Sequence, residues 1–217
     1  MNGIVIVDKP QEWTSQDVTA RLRRVFNTRR IGHGGALDPM ASGVLPVFVG
    51  RATRGVEFFA QAEKTYEATL LLGMTTDTED TSGTVLEDKE VHISEAEFLS
   101  ILPQFRGKIM QVPPMYSALK INGQKLVDLA RKGNTVERQA REIEIFELSC
   151  VEFSGNKARL RVRCTKGTYI RTLCKDIGEA LGCGGCMAAL RRVQAGEYSI
   201  DEAVPLQTLL EAENPEQ

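Results

Sequence analysis

The sequence predicts an α+β fold: a mixed, largely antiparallel sheet flanked by helices. Three observations carry this. Some segments alternate apolar and polar side chains at period two, as half-buried strands do. Others repeat apolar residues at helical spacing behind capping residues. The two kinds interleave along 217 residues without the strict βα alternation of a doubly wound sheet. No self-similarity at the roughly 20–50-residue periods of repeat architectures is visible, and no low-complexity linker divides the chain.

Gly3 to Val7 reads as a short buried strand, ended by Asp8-Lys9-Pro10 because proline cannot continue a central ladder. Thr14 with Asp17 three residues on makes a capping-box pattern. Val18, Leu22, Val25 and Phe26 follow at helical spacing, so this helix has an apolar face and an arginine-rich opposite face. Ile31 to Pro46 reads as irregular loop: it holds Gly32, Gly34, Gly35, Gly43, Pro39 and Pro46, with Asp38 in the middle. Ala52 to Ala60 reads as helix. Thr65 to Leu72 alternates and places Tyr66, Ala68, Leu70 and Leu72 on one strand face. Thr75 to Gly83 is polar, acidic loop. Ser94 with Glu97 caps a helix through Phe98 and Ile101. Ile109 to Lys120 reads as a strand, a Pro113-Pro114 break and a second strand. Lys125 to Arg131 is helical, with Gly133 at its C-terminal cap. Arg141 to Cys150 is a strand. Ala158 to Cys164 is another, with Ala158, Leu160, Val162 and Cys164 inward and Arg159, Arg161 and Arg163 outward. Lys166-Gly167 turns into a helix whose buried stripe is Ile170, Leu173, Ile177 and Leu181, ending at Gly182. Ala188 to Gln194 is a strand, and Glu202 to Ala212 a terminal helix followed by a polar tail.

A hydrophobic share of 42% over this length suffices for one large domain or two small ones, and 26% charged residues is ordinary for a soluble protein. No apolar run reaches membrane-span length, and Met1 to Pro10 lacks the basic and apolar regions of a signal peptide. The expectation is a cytoplasmic protein with no membrane partner. Five cysteines, Cys150, Cys164, Cys174, Cys183 and Cys186, are odd in number and irregular in spacing, which argues against a secreted disulfide framework. Cys183 and Cys186 form one C-x-x-C, and a structural zinc site needs four ligands. No metal is expected. The net charge of −2 does not mark a nucleic-acid binder, but Arg21, Arg23, Arg24, Arg29 and Arg30 fall within ten positions and can attract phosphates. A solvated helix face accounts for them equally well.

Asp38 leads the candidates for chemistry. In a Gly/Pro-rich loop a carboxylate can be a nucleophile, a base, a metal ligand or a turn former; no carboxylate or histidine cluster surrounds it in sequence to favour a metal, and Asx turns are common. Tyr66 reads either as a functional ring or as a core tyrosine. Tyr169 and Arg171 open a helix, where the arginine is an anion binder or a surface charge. His33 sits in the glycine loop with a turn role as its alternative. Taken one at a time these residues reach only a soluble α+β protein with a possible RNA or phosphate surface and an acidic site.

Taken together they resemble the TruB family of tRNA pseudouridine synthases. Ile31-Gly32-His33-Gly34-Gly35-Ala36-Leu37-Asp38-Pro39-Met40-Ala41-Ser42-Gly43-Val44-Leu45-Pro46 resembles the family's nucleophile loop. Asp8-Lys9-Pro10 with Thr14-Ser15 resembles its opening motif, and Lys64-Thr65-Tyr66-Glu67 its tyrosine motif. Thr76-Asp77-Thr78, Asp80 and Gly83 fit its acidic loop, and Pro113-Pro114-Met115-Tyr116-Ser117-Ala118-Leu119-Lys120 a further block. Lys166-Gly167-Thr168-Tyr169-Ile170-Arg171-Thr172-Leu173 resembles the arginine motif, and Leu190-Arg191-Arg192 the closing one. Several long motifs in order are far more specific than any one. The sequence departs from the family at Gly34, where many members have threonine, at Glu12, where glycine is common, and at Val127 and Leu129, where some have tyrosines. These positions bear on RNA contacts rather than on the reaction. Many members carry a C-terminal PUA domain; here the resemblance implies one catalytic domain over residues 1–217 without it.

The resemblance implies that uridine 55 in the T-loop of tRNA is isomerised to pseudouridine with no cofactor. Asp38 would be the nucleophile. Arg171 would keep it ionised, since a nearby cation lowers a carboxylate pKa by about 1–3 units. Tyr66 would stack on the uracil and take part in deprotonation, and Leu190 would line the pocket. Flipping the base out costs on the order of a few kcal/mol, and aromatic stacking offsets roughly 1–3 of it. His33 would fill the vacated loop, and Arg23, Arg24, Arg29 and Arg30 would contact phosphates. Lys9, Asp80 and Tyr169 complete the implied RNA-facing set. The partner is the T-arm of tRNA; a monomer with no protein partner is expected. Two other classes stand beside this one: a non-catalytic RNA-binding or tRNA-folding protein, and a zinc-stabilised module built on Cys183 and Cys186. A synthase with another RNA target is a third possibility.

Overall fold

The computed structural model describes residues 1–212. In chain order the elements begin with β1 (Gly3–Lys9), α1 (Ser15–Val25), β2 (Ile31–His33), β3 (Ser42–Val49), a 3-10 turn (Gly50–Gly55), α2 (Val56–Phe59) and β4 (Lys64–Leu72). Next come β5 (Met74–Thr76), β6 (Val85–Asp88), α3 (Glu95–Ile101), β7 (Gly107–Gln111), β8 (Lys120–Ile121), β9 (Gln124–Lys125) and α4 (Leu126–Ala130). The last are β10 (Arg141–Ser154), β11 (Lys157–Cys164), α5 (Ile170–Ala180), β12 (Gly185–Ala195), β13 (Tyr198–Ser199), β14 (Val204–Pro205) and α6 (Leu206–Glu211). The chain forms two compact units, one of Met1–Glu67 with the segment from Ala189 onward, the other of Ala68–Ala188.

In the first unit the strands run β14-β1-β3-β12, with β2 also on β3 and β13 on β12. β14 is parallel to β1 and β12 parallel to β3, whereas β1–β3 and β2–β3 are antiparallel, so the sheet is mixed as expected. Thr14 and Asp17 do form the capping box that starts α1. The helix buries Val18, Leu22 and the following Phe26 against Val7, Leu45 and Leu206. Each such side chain stabilises the unit by roughly 1.5–3 kcal/mol. Arg21, Arg23, Arg24, Arg29 and Arg30 are all exposed.

In the second unit the order is β4-β11-β10-β7, with β10 antiparallel to both β11 and β7. Ala158, Leu160, Val162 and Cys164 are buried along β11. The stripe on α5 holds at Ile170, Leu173 and Ile177, while Leu181 is only half-buried at the C-cap.

Four expectations need correction. Ile31 to Pro46 is not one loop: β2 and β3 take its two ends and leave residues 34–41 irregular. Pro46 sits inside β3 because its ring nitrogen points to the side where β2 has already ended, and its carbonyl accepts from Gly34 N at 2.8 Å. The helix read at Ala52 to Ala60 is a 3-10 turn up to Gly55 and α-helical only over Val56–Phe59. The second strand before Lys120 is the two-residue β8, paired with β9 across Asn122-Gly123, both at positive φ. The terminal helix is limited to Leu206–Glu211, because Pro205 holds Val204 extended and the pair adds to β1. The polar tail, residues 213–217, lies outside the described residues.

Candidate active site

Asp38 stands half-exposed in the 34–41 loop of the first unit, and the loop is fixed through the backbone on both sides of it. On one side the Ser15 hydroxyl, at the start of α1, accepts from Leu37 N at 2.8 Å and donates to Leu37 O at 3.3 Å. On the other, Pro39 O accepts from Glu12 N at 2.7 Å and from Lys9 Nζ at 3.4 Å. Glu12 reaches this position at a φ of +66°, a left-handed conformation that glycine takes at no steric cost. The loop ends are closed by Arg192 on β12, which is 1% exposed and donates to Val44 O at 2.7 Å and Gly35 O at 3.1 Å. Gly43, registered with Arg192, permits this approach: a Cβ there would overlap the Arg192 backbone.

The surroundings of the loop are cationic. Lys9 is fully buried, and Nζ also donates to Trp13 O at 2.6 Å and Pro10 O at 2.8 Å. Burial lowers its pKa to about 8; Asp38 opposes that shift and Arg192 reinforces it. Burial, with Arg192 second, also lowers the pKa of His33. The imidazole is therefore neutral at pH 7, and its Nδ1 is buried with no hydrogen-bond partner among the described residues. Lys64, 6% exposed, donates to Ala60 O at 3.0 Å and Ala62 O at 2.6 Å and so closes the end of α2. Tyr66 is half-buried on β4, and Leu190 is buried on β12.

The depressed Lys9 value has a consequence for stability. Between pH 8 and the ordinary 10.5 the unfolded chain binds the proton more tightly than the folded one, so stability rises with pH. From pH 8 to 10 this term contributes about 2 kcal/mol at 1.36 kcal/mol per unit. Urea unfolding of the wild type and of Lys9→Met at both pH values measures it. The difference between them is expected to move by that amount in favour of the wild type; an unchanged difference would refute the buried-lysine account.

In the second unit Arg171 occupies the first turn of α5 and is 5% exposed. It donates to Thr78 O at 3.0 Å and Tyr116 O at 2.8 Å, and its Nε lies 3.7 Å from Asp80 Oδ2. Asp80, 4% exposed, uses its other carboxylate oxygen to accept from Thr78 Oγ1, Ser82 N and Ser82 Oγ. Thr172 Oγ1 donates to Glu79 at 2.6 Å, and Lys175 pairs with Glu79 at 3.6 Å. The acidic loop is thus tied to the start of α5 by three successive contacts. Tyr169, the residue before the helix, is held by Gln111, whose amide exchanges hydrogen bonds of 2.8 and 3.0 Å with the Tyr169 backbone. The Cys183 thiol faces the Gly184 carbonyl at 3.3 Å, and burial raises the thiol pKa values of Cys183 and Cys186, the latter to about 11.

Of the residues singled out from sequence, the first unit holds Lys9, Arg23, Arg24, Arg29, Arg30, His33, Asp38, Tyr66 and Leu190. The second holds Asp80, Tyr169 and Arg171, and brings Asp80 and Arg171 into contact. Sequence reasoning missed Ser15, Lys64, Gln111, Glu79 and Arg192 as supports. For Arg192 a signal existed: it shares strand parity with buried Leu190, which points a charge inward.

A model of the TruB family pseudouridylate synthase N-terminal domain matches residues 23–170, and one of the tRNA pseudouridylate synthase B C-terminal domain matches residues 171–217. The tRNA pseudouridine synthase B of Stutzerimonas stutzeri is 48% identical over 209 residues, covering 96% of this chain and 68% of that protein. The protein of the same name from Haemophilus influenzae is 47% identical over the same share of each. Among solved structures, a chain of the Cbf5-Nop10-Gar1 complex superposes with a TM-score of 0.77 at 32% identity. That match covers 96% of this chain but only 53% of the other, so the chain spans about half of that protein.

Proposed function

Since the chain belongs to the TruB family of pseudouridylate synthases, we propose that it isomerises uridine 55 in the T-loop of tRNA to pseudouridine, with Asp38 as nucleophile. In the overall change the N1–C1′ bond breaks and C5 bonds to C1′; C5 loses its proton and N1 gains one. No group is carried in, so no cofactor or metal is required. The observation that carries the reading is the double backbone clamp on Asp38, from Ser15 on one side and from Glu12 and Lys9 on the other. A nucleophile held in one geometry removes much of the entropic part of the barrier.

In this reading Tyr66 stacks on the flipped uracil and takes part in deprotonation at C5, and Leu190 lines the pocket. Neutral His33 fills the space the base leaves, where a charged ring would be costly to bury. Arg171 is the catalytic cation, and buried Asp80 orients it rather than meeting RNA. Arg23, Arg24, Arg29, Arg30 and Tyr169 contact the RNA backbone, and Lys9 acts as a positioning residue. The protein works as a monomer in the cytoplasm.

The test is a tRNA transcript tritiated at uracil C5. Isomerisation expels that hydrogen, and binding does not. Tritium release matched one-for-one by pseudouridine, mapped to position 55 by primer extension after carbodiimide treatment, is the expected result. Tight binding without release moves the assignment to a non-catalytic RNA-binding protein, and release mapped elsewhere changes the target.

A further inference from the structure

We propose that Arg51, Arg54 and Phe58 form a docking platform for unpaired nucleotides flanking the reacting uridine. The identity of the RNA rests on the isomerase reading.

Neighbouring phenylalanines on α2 face opposite ways. Phe59 turns inward, its ring centroid 5.6 Å from those of both Phe48 and Tyr198. It occupies the space a side chain at Gly34 would need, since a Cβ there would overlap the ring. Val56 lies 3.5 Å from where a Gly32 Cβ would be. So α2 rests directly on Gly32 and Gly34, the backbone that leads into the Asp38 loop. The departure from threonine at position 34 is what lets this aromatic close down there.

Phe58 points away and is 83% exposed, the most exposed large apolar side chain described. Nothing in the fold gains from it. Arg51 and Arg54 are three apart on a 3-10 turn, which has three residues per turn, so both project from one side. Phe58 follows Arg54 by four. Gly50 N donates to Arg30 O at 2.8 Å, which brings Arg29 and Arg30 alongside. None of these four arginines pairs with an acidic group among the described residues, and Glu57, which stands between Arg54 and Phe58 in the chain, is exposed. Unpaired guanidinium groups around an exposed aromatic ring suit a single-stranded nucleic acid: phosphates on the cations, one base on the ring. Such contacts position RNA without reading its sequence.

Phe58→Ala and the double variant Arg51→Ala/Arg54→Ala test this. Both change exposed side chains, and unfolding midpoints confirm that the fold is retained. The loss of one stacked base is expected to raise KM for tRNA about tenfold in Phe58→Ala, with the effect on KM rather than kcat. In the arginine variant the slope of log K against log salt is expected to fall by about 1.4, at roughly 0.7 per single-strand contact. Unchanged KM and slope would overturn the platform. So would a wild type that self-associates through Phe58, read as a drop in sedimentation mass in Phe58→Ala at unaltered KM. If the wild type makes no pseudouridine but both variants bind the RNA more weakly, the isomerase reading falls and the platform stands.

Discussion

Replacement of Asp38 by asparagine is expected to abolish pseudouridine formation while RNA affinity stays within about twofold. The amide has the shape of the carboxylate and lacks its nucleophilic charge, so the chemical step loses its covalent route. A loss on the order of 10⁴-fold or more, about 5 kcal/mol of barrier, is the expected scale. The substitution should spare the fold. Asp38 is half-exposed, and the loop is anchored by the backbones of Leu37 and Pro39 and by Arg192 at Gly35 and Val44. Single-turnover tritium release, filter binding and a urea midpoint, measured on one preparation, separate the possibilities. Residual turnover above about 1% would assign the nucleophile to another group. A collapse of affinity and midpoint together would make Asp38 a structural residue.

The features legible in the sequence were those set by local chemistry. A capping box needs only Thr14 and Asp17, and both it and the one at Ser94 and Glu97 form. Strand β11 announces itself by alternation, because its inner row is uniformly apolar and its outer row uniformly basic. The Ile31 to Pro46 segment misled for a physical reason: glycine and proline mark irregular backbone, yet Gly43 serves a close strand approach and Pro46 a ladder position whose donor is not needed. Asn122-Gly123 is a local hairpin signal, but the Pro113-Pro114 break nearby is the stronger mark and hides it. For the site, single residues were ambiguous, and only the ordered set of motifs raised Asp38 above a turn former. The supports were invisible because they act at long range: Arg171 and Thr78 are 93 residues apart, Arg192 and Val44 148. Periodicity carries no information about such pairs.

Arg171→Met is expected to destabilise the protein by roughly 3–5 kcal/mol, the largest effect on folding among these substitutions. Arg171 and Asp80 are both about nineteen-twentieths buried, so removal of the guanidinium leaves a carboxylate with no cation. It also leaves the Thr78 and Tyr116 carbonyls without their donors. Arg171→Lys keeps the charge but not the planar fork that reaches three acceptors at once, so it should recover only part of the loss. Asp80→Asn combined with Arg171→Met should cost less than the sum of the two single changes, because the second removes what the first left uncompensated. Urea unfolding of the three variants gives this coupling. A single-variant loss below about 1 kcal/mol, with additive behaviour, would mean that the pair is incidental. The functional consequence then differs in kind from that of Asp38→Asn. The acidic loop reaches α5 through Arg171, Thr172 and Lys175, so losing the first of these ties loosens the support as well as removing the cation proposed for catalysis. Activity in Arg171→Met should therefore fall together with the unfolding midpoint, and Arg171→Lys should restore the midpoint further than it restores turnover.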